Sequence, residues 1–298
     1  MPTIRFAPVD NGIDYLSSVI EHLGKGAQEL GQRDLKYGVL HLHAATEVLL
    51  KARLTREHWS QVLVDPSTAN LDKFRSGQFK SCSMETAIQR LKDVSGIDVE
   101  PGAQKAIRSL SMTRNALQHY RLEHSAEAVE ANAADVLNFL IIFLDEHLLP
   151  KMSDDELWDV ETRMQAVRDG LARIQRFVKK RMNEIRRELE RQPDLTVECA
   201  TCRKPTLVVG SPEVRCLFCT TRIPGGLAAE EYAEAVLGRP WRVPPSTSDI
   251  FSQPSQPPVD PCPVCGEKAF VTDAVTTAAP EGIDLCFHCG AVGRMSDS

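Results

Sequence analysis

Eight cysteines arranged as four Cys-x-x-Cys pairs, all within the last hundred residues, constrain this 298-residue chain more than any other feature. The pairs are Cys199/Cys202, Cys216/Cys219, Cys262/Cys265 and Cys286/Cys289. Thirteen residues separate the two pairs of the first quartet and 20 those of the second. Each Cys-x-x-Cys turn aims two sulfurs at one point, and a returning hairpin supplies two more, completing a tetrahedron. The spacing predicts two zinc ribbons, each holding one structural Zn2+. With four protein ligands per ion there is no open coordination position, so no catalytic metal is expected. Residues 206–209 and 214–215 supply β-formers for the first hairpin, and 269–272 for the second. Gly266 and Gly290 directly follow the second cysteines of their pairs, where a tight knuckle favours glycine. Arg203, Lys204, Arg215 and Arg222 around the first quartet suit phosphate contact. Glu267, Asp273, Glu281 and Asp284 around the second suit a protein partner. His288, inside the last pair, is read as a bystander because its quartet is already complete. The ninth cysteine, Cys82, stands alone and reads as an inert thiol.

The same cysteines bear on the compartment. Their pairing reads as metal ligation in a reducing environment and as a disulfide framework in an oxidising one. The opening residues, MPTIRFAPVDNG, lack a charged-then-apolar secretory pattern, so a cytoplasmic location is expected. The longest apolar run, 136–149, is interrupted by Asn138, Asp145, Glu146 and His147 and is too short to span a bilayer. The formal net charge of −6 gives no global pull toward nucleic acid, so any such binding must be local.

Upstream of the cysteines the pattern is helical. Ile13, Leu16, Ile20 and Leu23 recur at helical spacing within 12–32, and Leu35, Val39, Leu42, Thr46 and Leu49 form a stronger stripe within 33–57. Residues 58–82 read as a loop with a short helix. Helices follow from Ser83 to about 94, from Pro101 to about His119, and from an N-cap at Ser125 to Pro150. Ser153 and Glu156 form a capping-box signature opening a long helix to about Arg191. Leu157, Val160, Met164, Val167, Leu171, Ile174 and Val178 make a heptad seam along it, able to pair with a second copy or to pack on the bundle. The basic second half of this helix reads as a solvated face or an RNA-tracking ridge. The expected fold is therefore mainly α. A helical bundle occupies 1–150 and a long connecting helix 151–193. The first ribbon spans 194–225, a short helix with a Pro/Ser-rich linker 226–260, and the second ribbon 261–298.

The bundle carries one segment with a chemistry of its own, Arg114-Asn115-Ala116-Leu117-Gln118-His119. Arginine can stabilise the charge of a phosphate in transition, and histidine can move a proton near neutral pH. In isolation, Arg and His at a helix end also suit the helix dipole. Within a helical bundle, however, Arg-x4-His with Asn115 beside the arginine resembles the HEPN superfamily. The early helix, 40–51, resembles that family's as well, with Glu47 and Lys51 among aliphatic residues. The resemblance covers roughly 12–150. It implies a metal-independent endoribonuclease, usually dimeric, with two Arg/His sets facing one cleft. His119 would act as general base, Arg114 would stabilise the transition state and Asn115 would orient the histidine or the phosphate. It also implies a toxin-like or antiphage setting, with an antitoxin or other protein as partner. Tyr120 falls one residue short of the family's Arg-x4-His-x-Tyr pattern.

His43, Glu47 and Lys51 lie four apart on one stripe. They read either as a solvated face or as support beneath the Arg/His cleft, with Glu47 the best placed. His41, His58 and His124 read as surface residues. No Gly-rich phosphate loop, Ser/His/Asp triad or paired-carboxylate metal site is present. Two rival readings remain: a catalytically silent dimerisation bundle whose ribbons recruit RNA or protein, and a transcription-associated DNA-binding regulator.

Overall fold

The computed structural model describes residues 6–26, 28–119, 123–239 and 258–293. Tyr120 and most of the Pro/Ser-rich stretch after Arg239 lie outside them. The described fold is mainly helical, followed by two small β-sheets that contain the two cysteine quartets. It divides into two compact units, 1–180 and 181–298. None of the described helices is long and apolar enough to cross a membrane.

The N-terminal unit is built around α2 (Gln32–Glu57), whose Leu42, Leu49, Leu50 and Leu54 have no solvent exposure. Asp34 caps its start, accepting a bond from the Gly31 N–H. Hydrogen bonds from Lys25 and His22 hold the Asp34 carboxyl down at about 2. α1 (Pro8–Leu23) lies along α2 and buries Ile13 and Leu16. A short helix, α3 (Leu71–Arg75), is capped by Asn70. α4 (Met84–Ser95) begins at Ser83, whose hydroxyl accepts from the Thr86 N–H, and stops at Gly96 in the left-handed conformation. α5 (Pro101–His119) and α6 (Ala126–Phe143) pack together and on α2. α6 runs into a π-helical turn over Leu144–Leu148.

The single helix expected over 153–191 is two: α7 (Asp154–Leu171) and α8 (Gln175–Leu189). The chain tightens between them through Arg173 N–H to Gly170 C=O and Ile174 N–H to Leu171 C=O bonds. The Ser153/Glu156 capping box is present. The seam residues Val160, Met164, Val167, Leu171 and Ile174 are buried, with α7 packed on α1. Their apolar stripe is consumed within the chain, which removes it as a coiled-coil face for a second copy. Past the break the buried line shifts by one residue, to Phe177, Arg181 and Ile185 in place of Val178.

Gly170 is the point of closest approach: a Cβ there would lie 2.1 Å from Ile20 Cγ2, inside a packed core. Gly170→Ala should therefore destabilise the unit by about 1–3 kcal/mol despite alanine's better helix propensity. A shift in the chemical denaturation midpoint would measure it, and a neutral or stabilising effect would contradict the close packing.

In the C-terminal unit, β1 (Thr196–Glu198), β2 (Pro205–Val208), β3 (Glu213–Cys216) and β4 (Arg222–Pro224) form an antiparallel sheet in sequence order. β5 (Asp260–Pro261), β6 (Lys268–Ala274) and β7 (Ile283–Cys286) form a second one. The two sheets are not beads on a linker. Thr277 N–H donates to Thr196 C=O at 2.9 Å and Gly210 N–H to Phe287 C=O at 2.8 Å. Between them in sequence, α9 (Gly225–Ala235) packs on β6. It buries Tyr232 against Phe287, and the Tyr232 hydroxyl accepts from the Val275 N–H at 2.9 Å. Gly225 opens α9 where a Cβ would come within 2.9 Å of the His288 Cα.

Candidate functional site

Four knuckles of one design build two clusters of sulfur. In each, the residue after the second cysteine donates its N–H to the carbonyl of the first: Arg203 to Cys199, Thr220 to Cys216, Gly266 to Cys262 and Gly290 to Cys286. In each, the first cysteine's N–H then bonds the carbonyl five residues on, at Lys204, Thr221, Glu267 and Ala291. The turn requires a positive φ after the second cysteine. Gly266 (78°) and Gly290 (74°) take it freely, whereas Arg203 (58°) and Thr220 (65°) take it against their side-chain preference.

The knuckles bring Cys199, Cys202, Cys216 and Cys219 together, and separately Cys262, Cys265, Cys286 and Cys289, with all sulfurs of a cluster within 4.8 Å of one another. The Sγ–Sγ separations are 3.9 and 3.7 Å in the first cluster and 3.7 and 3.8 Å in the second. A tetrahedron with metal–sulfur bonds of about 2.3 Å has an edge of about 3.8 Å. Each cluster can therefore hold one metal ion, and His288 belongs to neither. Of the cations around the first cluster, Arg203 is tied to Glu198 at 2.8 Å and to the Ala235 carbonyl at 2.6 Å, and Arg222 faces Glu213 at 3.7 Å.

In the other unit α5 is helical from Pro101 through His119, so Arg114 and His119 stand five residues apart on one helix. Such a spacing turns about 140° beyond a full turn. Arg114 lies at the wall of a groove of about 720 Å³ lined by α2, α4 and α5. Asn115 and Glu47 line the same groove; His119 is not among its lining residues and is exposed. The structure thus brings Arg114, Asn115 and Glu47 together in one chain and leaves His119 apart.

Three side chains hold the Arg114 guanidinium. Its Nη1 donates to Asn115 Oδ1 at 2.8 Å and to Gln118 Oε1 at 3.2 Å, and its Nε donates to His43 Nδ1 at 3.4 Å. Asn115 thus orients the arginine. Gln118 joins it by the i,i+4 spacing that a helix through 119 implies. His43, on α2, is only 5 % exposed. Burial, with the Arg114 cation beside it, pushes its imidazole down to about 4. It is therefore neutral near pH 7 and accepts through Nδ1, with the ring proton on Nε2. Glu47 is bound by Lys51 at 2.5 Å, and Asp98 of the groove by Lys92 at 3.0 Å. Both of these acids have a lysine partner, whereas Arg114's hydrogen-bond partners among the described residues are all neutral.

The depressed His43 pKa makes stability depend on pH. The unfolded chain takes up this proton near 6.5 and the folded chain only near 4. The contribution is present in full above about 6.5 and is lost as pH falls toward 4. Urea unfolding at pH 7 and pH 4.5 should show a loss of up to about 2 kcal/mol from this group. His43→Gln, which keeps an acceptor but no titration, should flatten that loss. An unchanged pH slope in the variant would remove His43 as its origin.

Comparison of the chain with protein-family models, with curated proteins and with solved structures finds no match.

Proposed function

We propose that the protein is a HEPN-like, metal-independent endoribonuclease, acting as a homodimer in the cytoplasm in a toxin-like or antiphage role. The observation that carries this reading is Arg114. It is a cation fixed in orientation by three neutral acceptors at the wall of an open groove, with no carboxylate partner among the described residues. A phosphodiester fits that description. His119 would take the proton of an RNA 2′-OH, the freed oxygen would attack the adjacent phosphorus, and the 5′-oxygen would leave. The product is a 2′,3′-cyclic phosphate, and DNA, which lacks the 2′-OH, survives. The separation of Arg114 and His119 around α5 supports a cleft completed by a second copy. Glu47 supports the groove from α2 through Lys51. The cysteine clusters would each hold Zn2+, since four thiolates in a tetrahedron suit that ion, and the C-terminal unit would recognise RNA or a protein partner.

Incubation of total RNA without added divalent metal tests the reading. The wild type should leave 2′,3′-cyclic phosphate ends. Cleavage that persists in both Arg114→Ala and His119→Ala, or that demands a divalent ion, would overturn it. A rival reading, a catalytically silent bundle whose C-terminal unit does the recruiting, draws on the position of His119 outside the groove. It predicts RNA or protein binding without hydrolysis.

A further inference from the structure

The two clusters are copies of one design, and the copies differ where reactivity is decided. The knuckle hydrogen bonds align Thr206 with Ala269 and Thr221 with Ala291. Thr206 N–H and Ala269 N–H both reach back two residues, to Lys204 and Glu267, and Thr221 C=O and Ala291 C=O receive the N–H of Cys216 and Cys286. In the first cluster both hydroxyls touch sulfur: Thr206 Oγ1 lies 3.2 Å from Cys216 Sγ and Thr221 Oγ1 lies 3.1 Å from Cys219 Sγ. In the second cluster both hydroxyls are replaced by methyl groups. A hydroxyl donated to a thiolate withdraws electron density from the sulfur and lowers its nucleophilicity.

Access differs in the same direction. The four sulfur-bearing residues of the first cluster are at most 2 % exposed. In the second, Cys265 and Cys289 are both exposed, and Val264 beside Cys265 is 74 % exposed. The missing hydroxyls are those at Cys286 and Cys289, the equivalents of Cys216 and Cys219, so Cys289 combines an open sulfur with a missing donor, two independent reasons for a thiolate to react.

We propose that the Cys262/Cys265/Cys286/Cys289 cluster is a reactive metal–thiolate site, with Cys289 the sulfur that hydroperoxides attack, and that the first cluster is inert. The Cys289 thiolate displaces on the peroxide, its sulfur bonding the terminal oxygen as the O–O bond breaks. The departing oxygen takes a proton and leaves as water or an alcohol, and Cys289 becomes a sulfenic acid. The Cys262 thiolate, with Sγ 3.7 Å away, then bonds that sulfur and expels hydroxide, which takes a second proton to form water. Two electrons have passed from the two sulfurs to the peroxide, two protons have come from solvent, and a disulfide has formed. With two of its four donors consumed, the site no longer holds its ion. This inference is independent of the ribonuclease reading.

The test uses the full chain loaded with zinc and treated with limiting hydrogen peroxide. Metal release is followed with a chromogenic chelator, and the residual thiols are alkylated and mapped by mass spectrometry. One metal per chain should leave in a fast phase, roughly tenfold ahead of the other. The first oxidised peptide should contain Cys289, and Ala291→Thr, which returns a hydroxyl to that sulfur, should slow the fast phase severalfold. Release of both metals at one rate, oxidation beginning at Cys199–Cys219, or a fast phase unchanged in a metal-loaded Ala291→Thr protein would overturn the proposal. Should that variant fail to load metal, the order of release and labelling in the wild type still decides.

Discussion

Stripping both metals should dissolve the C-terminal unit while the helices of the N-terminal unit stay folded. The unit's strands are two to seven residues long, too short to hold register on their own. Its core includes sulfur: Cys216 and Cys219 have no solvent exposure, and neither do Val214, Phe218, Tyr232 and Phe287 of the same unit. Without an ion, four thiols crowded within 4.8 Å cannot all ionise, and the knuckles lose the centre that orders them. A structural zinc site contributes about 10–16 kcal/mol of apparent binding free energy, as large as the whole stability of a typical domain. Cys216→Ser should therefore expose 196–293 to protease while 8–171 resists, with helical circular dichroism largely kept. The backbone bonds from Thr277 to Thr196 and from Gly210 to Phe287 carry the damage into the second ribbon. A metal-free protein whose C-terminal unit still resists protease would refute the metal's structural role.

The same unit shows where reading a sequence stops. The knuckles were legible because tetrahedral ligation demands four sulfurs at short spacings and glycine fits the turn after each pair. That Arg203 and Thr220 take the same positive φ was not, because the turn is enforced by two backbone bonds and only favoured by glycine. The joining of the two sheets was hidden for a related reason: the bonds between them run through backbone at Gly210, Thr277 and their partners, which imposes no side-chain pattern. In the helices, amphipathic stripes and caps at Ser83, Ser125 and Ser153 marked the elements. The break after Leu171 left no mark, because the apolar spacing of three and four runs through it. In the sequence His43 reads only as part of an i,i+4 stripe with Glu47 and Lys51. Its contact with Arg114 joins residues 71 apart, which no local period reports.

Two inactive variants, mixed, should recover ribonuclease activity. Arg114→Ala alone should lose roughly 10²–10³-fold by removing one charge-stabilising group, and His119→Ala roughly 10²–10⁴-fold by removing the general base. If Arg114 and His119 of one chain served the same phosphate, a mixture would stay as inactive as its parts. Their separation of about 140° around a helix that persists through His119 argues otherwise. In a symmetric dimer each cleft would take the arginine of one copy and the histidine of the other. An Arg114→Ala/His119→Ala heterodimer then has one cleft with both residues missing and one with both intact. Random reassortment makes half of the dimers heterodimers, so roughly a quarter of the wild-type clefts return. Recovery should appear only after subunits are allowed to exchange, and should be absent when each variant is assayed alone. No recovery despite demonstrated exchange would exclude the shared cleft, and because His119 does not line the groove at Arg114, that groove would then need a different base. His43 is the imidazole nearest to hand, already in contact with the Arg114 guanidinium, and His43→Gln would be the variant to assay next.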